Sequence, residues 1–135
     1  MGLFQDLLSW FRLRPPLPPP RPPQPPPTDP GDLNRVLLKL HNEERAQAAR
    51  PPLTLSTTII ARALHAAEVQ ADRGRVGHFT PLPPDFAENV AAGQRTPEEV
   101  MESWMSSRGH RANILGPYTV CGFGRVGDYW AARFA

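Results

Sequence analysis

The segment at residues 103–115, SWMSSRGHRANIL, combines an aromatic anchor, hydroxyl groups and a histidine in one short stretch. A helix that only has to bury one face can do so with leucine and alanine. The presence of Trp104, Ser107 and His110 therefore indicates that this segment has a role beyond packing against the core. The helix is predicted to run out near Gly109, which leaves His110 at a break where the backbone can aim its imidazole into a cleft.

Two helices are predicted upstream of this segment. The first has Asp32 as its N-cap, continues with apolar residues at helical spacing, and ends before Pro51. The second is capped by Ser56 and closed by Gly74, a residue that adopts the left-handed conformation at helix ends without steric cost. These two helices supply the first half of a small folded domain.

A third helix and a hairpin are predicted downstream. Thr96 and Glu99 form a capping-box pattern at the start of the third helix, after residues 75–95, which are predicted to be a loop. Near the end of the chain, Gly127 and Asp128 separate two strand-like runs and predict a two-residue hairpin turn. Helices followed by a hairpin predict an α+β domain over residues 31–135.

Residues 1–14 are predicted to form a short amphipathic helix with Asp6 and Arg12 on its polar side. Such a helix is marginal alone in water and needs a surface to lie on. Its mixed charge favours a protein partner over a membrane interface, with docking back onto its own domain as the simpler alternative. The predicted docking residues are the apolar ones: Leu3, Phe4, Leu7, Leu8, Trp10 and Phe11.

Residues 15–30 are predicted to be a stiff tether. They hold 11 of the 18 prolines of the 135-residue chain, and most of them therefore lack an amide donor for a helix or an inner strand. A polyproline II spacer is the simplest interpretation, although the PxxP patterns are also compatible with SH3-like recognition.

Charge and composition exclude several classes of protein. Residues 31–135 carry 12 Arg and Lys against 11 Asp and Glu, a net charge of +1, without the clustered basic stripe of a nucleic-acid binder. No apolar run approaches the ~20 residues of a transmembrane helix, and no recognisable signal peptide is expected at the N-terminus, so the compartment stays open. The single cysteine, Cys121, permits no intramolecular disulfide and is predicted to be a buried hydrophobe.

Histidines and one carboxylate are the candidates for chemistry. His78 lies in a Gly-His-Phe loop and His110 follows Gly109, whereas His41 and His65 lie inside the long helices and are interpreted as filler. Together with Glu88, taken as a loop carboxylate, His78 and His110 are a legitimate ligand set for Zn²⁺ with water in the fourth position. The same three residues could instead form a hydrogen-bonded polar cluster without a metal. Their spacing along the sequence matches no compact metal-binding motif and so does not decide between the two interpretations.

A set of motifs in fixed order resembles the CAP superfamily, also called the SCP/PR-1-like or cysteine-rich secretory protein family, and most closely its small bacterial members. The motifs are LLKLHNEERAQAARPPLTLS, GHF, AENVAAGQRTPEEVMESWMSSRGHRANIL, CGFGRV and YWAARF, spread over residues 33–135. The resemblance implies an α-β-α sandwich with a small, mostly antiparallel sheet. It also implies a cleft with two histidines and usually two acidic residues, which in some members bind Zn²⁺ or another divalent cation.

By matching motifs, His78 and His110 take the places of the two cleft histidines and Glu88 that of the first carboxylate. Ser107 stands where many members have the second carboxylate, Ala87 stands where Gly is usual, and the disulfides of the family's name are absent. The resemblance also implies that Trp104 anchors its helix in the core. Arg111 and Asn113 are predicted to support the turn that presents His110 rather than to touch a ligand.

Two functions from different classes remain. The favoured hypothesis is a non-enzymatic binding and display module, whose cleft holds a divalent cation, a small ligand or a lipid. In that hypothesis the N-terminal helix attaches the domain to a protein partner or a larger assembly such as a virion or a secreted complex. The alternative is a hydrolase, either zinc-dependent or with Ser107, His110 and Glu88 as nucleophile, base and orienting group.

Overall fold

The computed structural model describes residues 16–20, 22 and 29–135. The predicted docking helix at residues 1–14 and most of the predicted tether at residues 15–30 lie outside the described residues. The structural description therefore concerns the domain that follows them.

The described chain is an α+β domain, as the sequence predicts. Its elements, in chain order, are α1 (Pro30–Gln47), β1 (Thr54–Leu55), α2 (Thr57–Arg73), β2 (Ala87–Ala92), α3 (Pro97–Met105), α4 (Arg108–Ile114), β3 (Val120–Val126) and β4 (Tyr129–Phe134).

Local capping signals place two of the helices correctly. The side chain of Ser56 accepts a hydrogen bond from the Ile59 amide at the start of α2, and Gly74 ends that helix with φ 65°. Thr96 Oγ1 accepts from the Glu99 amide at 3.1 Å at the start of α3. These contacts connect residues close in sequence, which is why the sequence reveals them.

The predicted cap of α1 is wrong. The N-cap position is occupied by Asp29, not Asp32, and Asp32 lies in the first turn of the helix. Proline at the first helical position needs no amide partner, so the helix starts at Pro30 and incorporates the end of the predicted tether.

Two further predictions on local structure are wrong. The predicted loop at residues 75–95 contains strand β2, so Glu88 is a strand residue and not a loop carboxylate. The helix break lies before Gly109: Ser107 is extended, with φ −105° and ψ 124°, and α4 then includes both Gly109 and His110. A strand whose residues are nearly all buried lacks the alternating pattern that identifies strands in sequence.

The sheet has the strand order β1-β3-β4-β2. The two-residue pairing of β1 with β3 is parallel, and the other pairings are antiparallel. Gly127, with φ 57°, allows the tight turn between β3 and β4 that the Gly-Asp pair predicts. Strand β2 lies at the sheet edge, where its backbone is next to α4.

Helices cover both faces of the sheet and complete an α-β-α sandwich. On one face, α2 packs directly on the strand glycines, because a Cβ at Gly122 or Gly124 would lie about 2.3 or 2.4 Å from the α2 backbone. The opposite face packs against α1, α3 and α4, with Trp104 of α3 only 1% exposed in the core. Cys121 is fully buried in the same core, as predicted.

Buried polar side chains of α1 join distant parts of the domain. The Arg45 guanidinium, 1% exposed, donates to the backbone carbonyls of Pro51, Ile114, Gly116 and Tyr118. It therefore ties the end of α1 to the turn that precedes β3. Nothing in the local sequence distinguishes this arginine from a surface one.

Candidate functional site

Glu88 is the centre of the candidate site. It lies on edge strand β2, directly opposite Arg133 of β4 in the antiparallel register, and its side chain is 2% exposed. One carboxylate oxygen, Oε1, lies 2.8 Å from His78 Nδ1, and the other, Oε2, accepts from Arg133 Nε at 2.5 Å. Both oxygens of the buried carboxylate therefore have partners.

Arg133 extends this pair into a network. Its remaining nitrogens donate to the Pro81 carbonyl at 3.1 Å and to Thr80 Oγ1 at 2.5 Å. A buried ion pair persists only when further hydrogen bonds satisfy its remaining donors and acceptors. Here those bonds fix the loop that follows His78, so the same guanidinium balances the charge of Glu88 and positions the segment carrying the histidine.

His78 presents its imidazole at the surface of the site. Its side chain is 60% exposed, and its Nδ1 is held by Glu88, with Nδ1–H donating to the carboxylate in the neutral tautomer. In this tautomer Nε2 carries the free lone pair. A carboxylate that fixes the tautomer and orientation of a histidine ring in this way leaves the other ring nitrogen available as a ligand.

His110 lies on α4, and its backbone is hydrogen-bonded to strand β2. Asn89 on β2 donates to the His110 carbonyl at 3.0 Å, and Asn113 donates to Asn89 Oδ1 at 2.8 Å and to the Glu88 carbonyl at 3.4 Å. These bonds fasten α4 to the strand that carries Glu88. Burial lowers the pKa of His110 from its ordinary value, and the charge of His78 lowers it further.

The predicted site residues are thus brought together only in part. His78 and Glu88 are in contact, and His110 is their neighbour across the sheet edge. Ser107 precedes α4 without a side-chain capping bond, and within residues 29–135 no hydrogen bond joins it to His110 or Glu88. Asn113 supports the fold, as predicted, although it does so by bonding to β2.

A three-ligand metal centre does not fit this arrangement. Among the described residues, no group of three His, Cys, Asp or Glu side chains is placed to hold one ion. The geometry gives the reason, because Glu88 is committed to His78 and Arg133. The carboxylate therefore acts through His78, as the partner that orients the imidazole.

The sequence analysis did not identify two residues of the site, Arg133 and Asn89. The available signal is the charge of Arg133 inside the strand-like run YWAARF, because a charged residue on a buried strand needs a charged partner. Pairing it with Glu88, the other charge in a buried run, would have required the strand register.

None of the described helices is a candidate for a membrane span. In the part of the chain that the structure describes, no helix is both long and apolar enough to cross a membrane.

Comparisons with known proteins agree with this architecture. The sequence profile of the cysteine-rich secretory protein family, CAP, matches residues 38–131. An uncharacterized protein of Bacillus subtilis, YkwD, is 34% identical over 117 residues, which cover 74% of this chain. The chain spans about half the length of that curated relative, 46%.

Solved structures share the fold. An extracellular protein of Bacillus anthracis containing an SCP domain superposes with TM-score 0.72 at 20% identity, over 82% of this chain and 44% of that one. An outer surface protein of Borrelia burgdorferi superposes with TM-score 0.71 at 18% identity, over 79% of this chain and 94% of that one. With the profile match across most of the folded domain, the chain belongs to the cysteine-rich secretory protein family.

Proposed function

We propose that this domain is a non-enzymatic binding module whose ligand site is formed by His78 and His110. The proposal depends on one observation: both carboxylate oxygens of Glu88 are hydrogen-bonded to other side chains of the site. With one oxygen on His78 and the other on Arg133, the carboxylate serves to fix an imidazole. A fixed and partly exposed imidazole, with a second imidazole nearby, is a binding surface for a divalent cation or a small polar ligand.

The hydrolase alternative receives less support from the same contacts. General-base catalysis by His110 on Ser107 would need the two side chains within hydrogen-bond reach, and a carboxylate free to orient the base. Glu88 orients His78 instead. The described contacts thus favour binding over turnover.

The binding proposal is tested by titrating Zn²⁺ into the full chain by calorimetry at pH 7.5. His78→Ala and His110→Ala are each expected to weaken saturable binding by tenfold or more, since each removes one imidazole ligand. His65→Ala is the matched control, because His65 is an exposed histidine on α2 that lies 3.7 Å from Glu68 and is not part of the site. Equal loss in all three variants, or no saturable binding in the parent chain, would contradict the proposal.

We further propose that residues 1–14 attach the domain to a larger assembly, with residues 15–30 as the spacer. Support comes from the apolar face in the N-terminal sequence, and from the extracellular and outer-surface relatives that share the fold. A chain lacking residues 1–14 should keep its folded domain and Zn²⁺ affinity but lose co-purification with the assembly. Retained association of the shortened chain would contradict this part of the proposal.

A further inference from the structure

A buried glutamine of α2 is bonded to the loop that carries His78. Gln70 lies in the last turn of that helix and is 0% exposed. Its side-chain nitrogen Nε2 donates to the Trp130 carbonyl of β4 at 3.1 Å, and its oxygen Oε1 accepts from the Gly77 amide at 3.4 Å. A buried amide that is bonded at both ends joins two segments in one geometry. Gln70 therefore joins the sheet to the residue that precedes His78.

Further contacts keep this loop close to the end of α2. The Arg75 amide donates to the Gln70 carbonyl at 3.2 Å. The Phe79 ring lies against Gly77, because a Cβ on that glycine would be 2.4 Å from the ring. The guanidinium carbons of Arg73 and Arg75 lie 4.5 and 5.1 Å from the centroid of the same ring. The loop is therefore packed on α2, with the Gln70 side chain as its buried contact.

His78 is held on both sides along the chain. On the side before it, Gln70 accepts from the Gly77 amide. On the side after it, Arg133 donates to the Thr80 hydroxyl. Both anchors involve strand β4, since Gln70 bonds to its backbone and Arg133 belongs to it. The two anchors together determine where the imidazole meets its carboxylate partner.

We propose that Gln70 is a positioning residue for the ligand site, because its bond to Gly77 keeps the His78 imidazole in place on Glu88. The effect on ligand affinity rests on the proposed function, whereas the effect on the imidazole does not need a ligand. An imidazole that leaves its carboxylate loses the constraint that places the proton on Nδ1 and leaves Nε2 free. A glutamine that only fills the core would affect stability and leave the His78 tautomer unchanged.

The test compares the full chain with Gln70→Met, which keeps the length of the side chain and removes both of its hydrogen bonds. Imidazole ¹⁵N NMR shifts at pH 8 report which nitrogen of His78 carries the proton. The parent chain is expected to show a protonated Nδ1, and Gln70→Met a mixture of the two tautomers. Zn²⁺ affinity, measured by calorimetry, should fall about tenfold in the variant. A parent-like tautomer, or an unchanged affinity in a parent chain that binds Zn²⁺, would overturn the proposal.

Asn34→Leu is the matched control. Asn34 is 3% exposed, and its side-chain amide bonds to both backbone groups of Phe123 on β3. Its replacement removes two buried bonds to a strand without touching the loop of His78, so the tautomer and the Zn²⁺ affinity should stay as in the parent chain. An equal change of tautomer in this control would mean that general loosening of the domain is the cause, and it would overturn the proposal.

Gln70→Glu is the conservative variant. It keeps an oxygen for the Gly77 amide and loses the amide nitrogen that donates to Trp130. The His78 tautomer should therefore remain that of the parent chain. A mixture of tautomers in Gln70→Glu would contradict the contact with Gly77 as the route by which Gln70 acts.

Hydrogen exchange of the parent chain is a second measurement, which needs no folded variant. The bond to Gln70 predicts that the Gly77 amide exchanges at least about tenfold more slowly than an unprotected amide. Exchange at the unprotected rate would overturn the proposal. Failure of the proposed function has a different signature: the parent chain would not bind Zn²⁺, while Gln70→Met would still change the His78 tautomer.

Discussion

His41 is a neutral histidine sealed in an aromatic cage, and its environment predicts a loss of stability in mild acid. Its Nδ1–H donates to the Leu37 carbonyl at 2.7 Å, while Nε2 is buried and has no hydrogen-bond partner among the described residues. The rings of Phe123, Phe134 and Trp104 surround it with centroids at 4.5, 5.6 and 6.1 Å. A proton on Nε2 would place a charge among these rings with no acceptor.

The size of the effect follows from the pKa. Burial lowers the pKa of His41 from 6.5 to about 4, despite the bond to Leu37, and Arg45 lowers it slightly more. Between these values the unfolded chain binds a proton that the folded chain does not, so the free energy of unfolding falls as the pH falls. His41 contributes nothing unfavourable well above pH 6.5, costs about 2 kcal/mol at pH 5, and costs about 3 kcal/mol below pH 4.

The assay is urea unfolding of the full chain at pH 7.5 and pH 5, compared with His41→Phe and with His65→Gln. Phenylalanine keeps a ring in the cage but cannot be protonated. The parent chain and His65→Gln should lose about 2 kcal/mol more than His41→Phe when the pH is lowered. Using differences between chains removes the acid sensitivity that the carboxylates contribute to all three.

An equal loss of stability by His41→Phe and the parent chain between pH 7.5 and 5 would refute this role of His41. That result would mean that protonated His41 finds a partner or solvent in the folded state. A His65→Gln variant that flattened the pH dependence would contradict it equally, because His65 is 65% exposed.

Four further predictions test packing and burial. Arg45→Lys should lower the free energy of unfolding by at least about 2 kcal/mol, because an ammonium cannot satisfy four carbonyls that the guanidinium reaches; a loss below about 0.5 kcal/mol in urea unfolding would refute this. Gly122→Ala should unfold or severely destabilise the domain, since its Cβ would lie 2.3 Å from the Ile60 nitrogen. At Gly109, inside α4, an added Cβ would have no neighbouring atom within 4 Å, so Gly109→Ala should raise the free energy of unfolding by about 0.5 kcal/mol. Urea unfolding measures both glycine variants, and equal effects of the two changes would contradict the packing argument. Burial raises the pKa of Cys121 to about 12, so a thiol reagent at pH 8 should label it only after unfolding; rapid labelling of the native chain would show that it is accessible.

The candidate site illustrates where sequence reasoning succeeds and where it stops. His78, Glu88 and His110 were identifiable because the motifs around them resemble a known family. The partner of Glu88 was not identifiable, because Arg133 lies 45 residues away and meets it only through the register of β2 with β4. The assignment of β2 to a loop concealed this register.

The sequence by itself determined the features that depend on near neighbours along the chain. The caps of α2 and α3 and the turn at Gly127 are of this kind, because the groups that bond are within a few residues of each other.

Only the tertiary structure decided how each polar side chain functions. Arg45, His41 and Glu88 owe their properties to distant backbone, aromatic rings and a counter-ion that folding brings to them. Desolvation and hydrogen bonding depend on which groups surround a side chain in space, and the order of residues in the chain does not specify those groups locally.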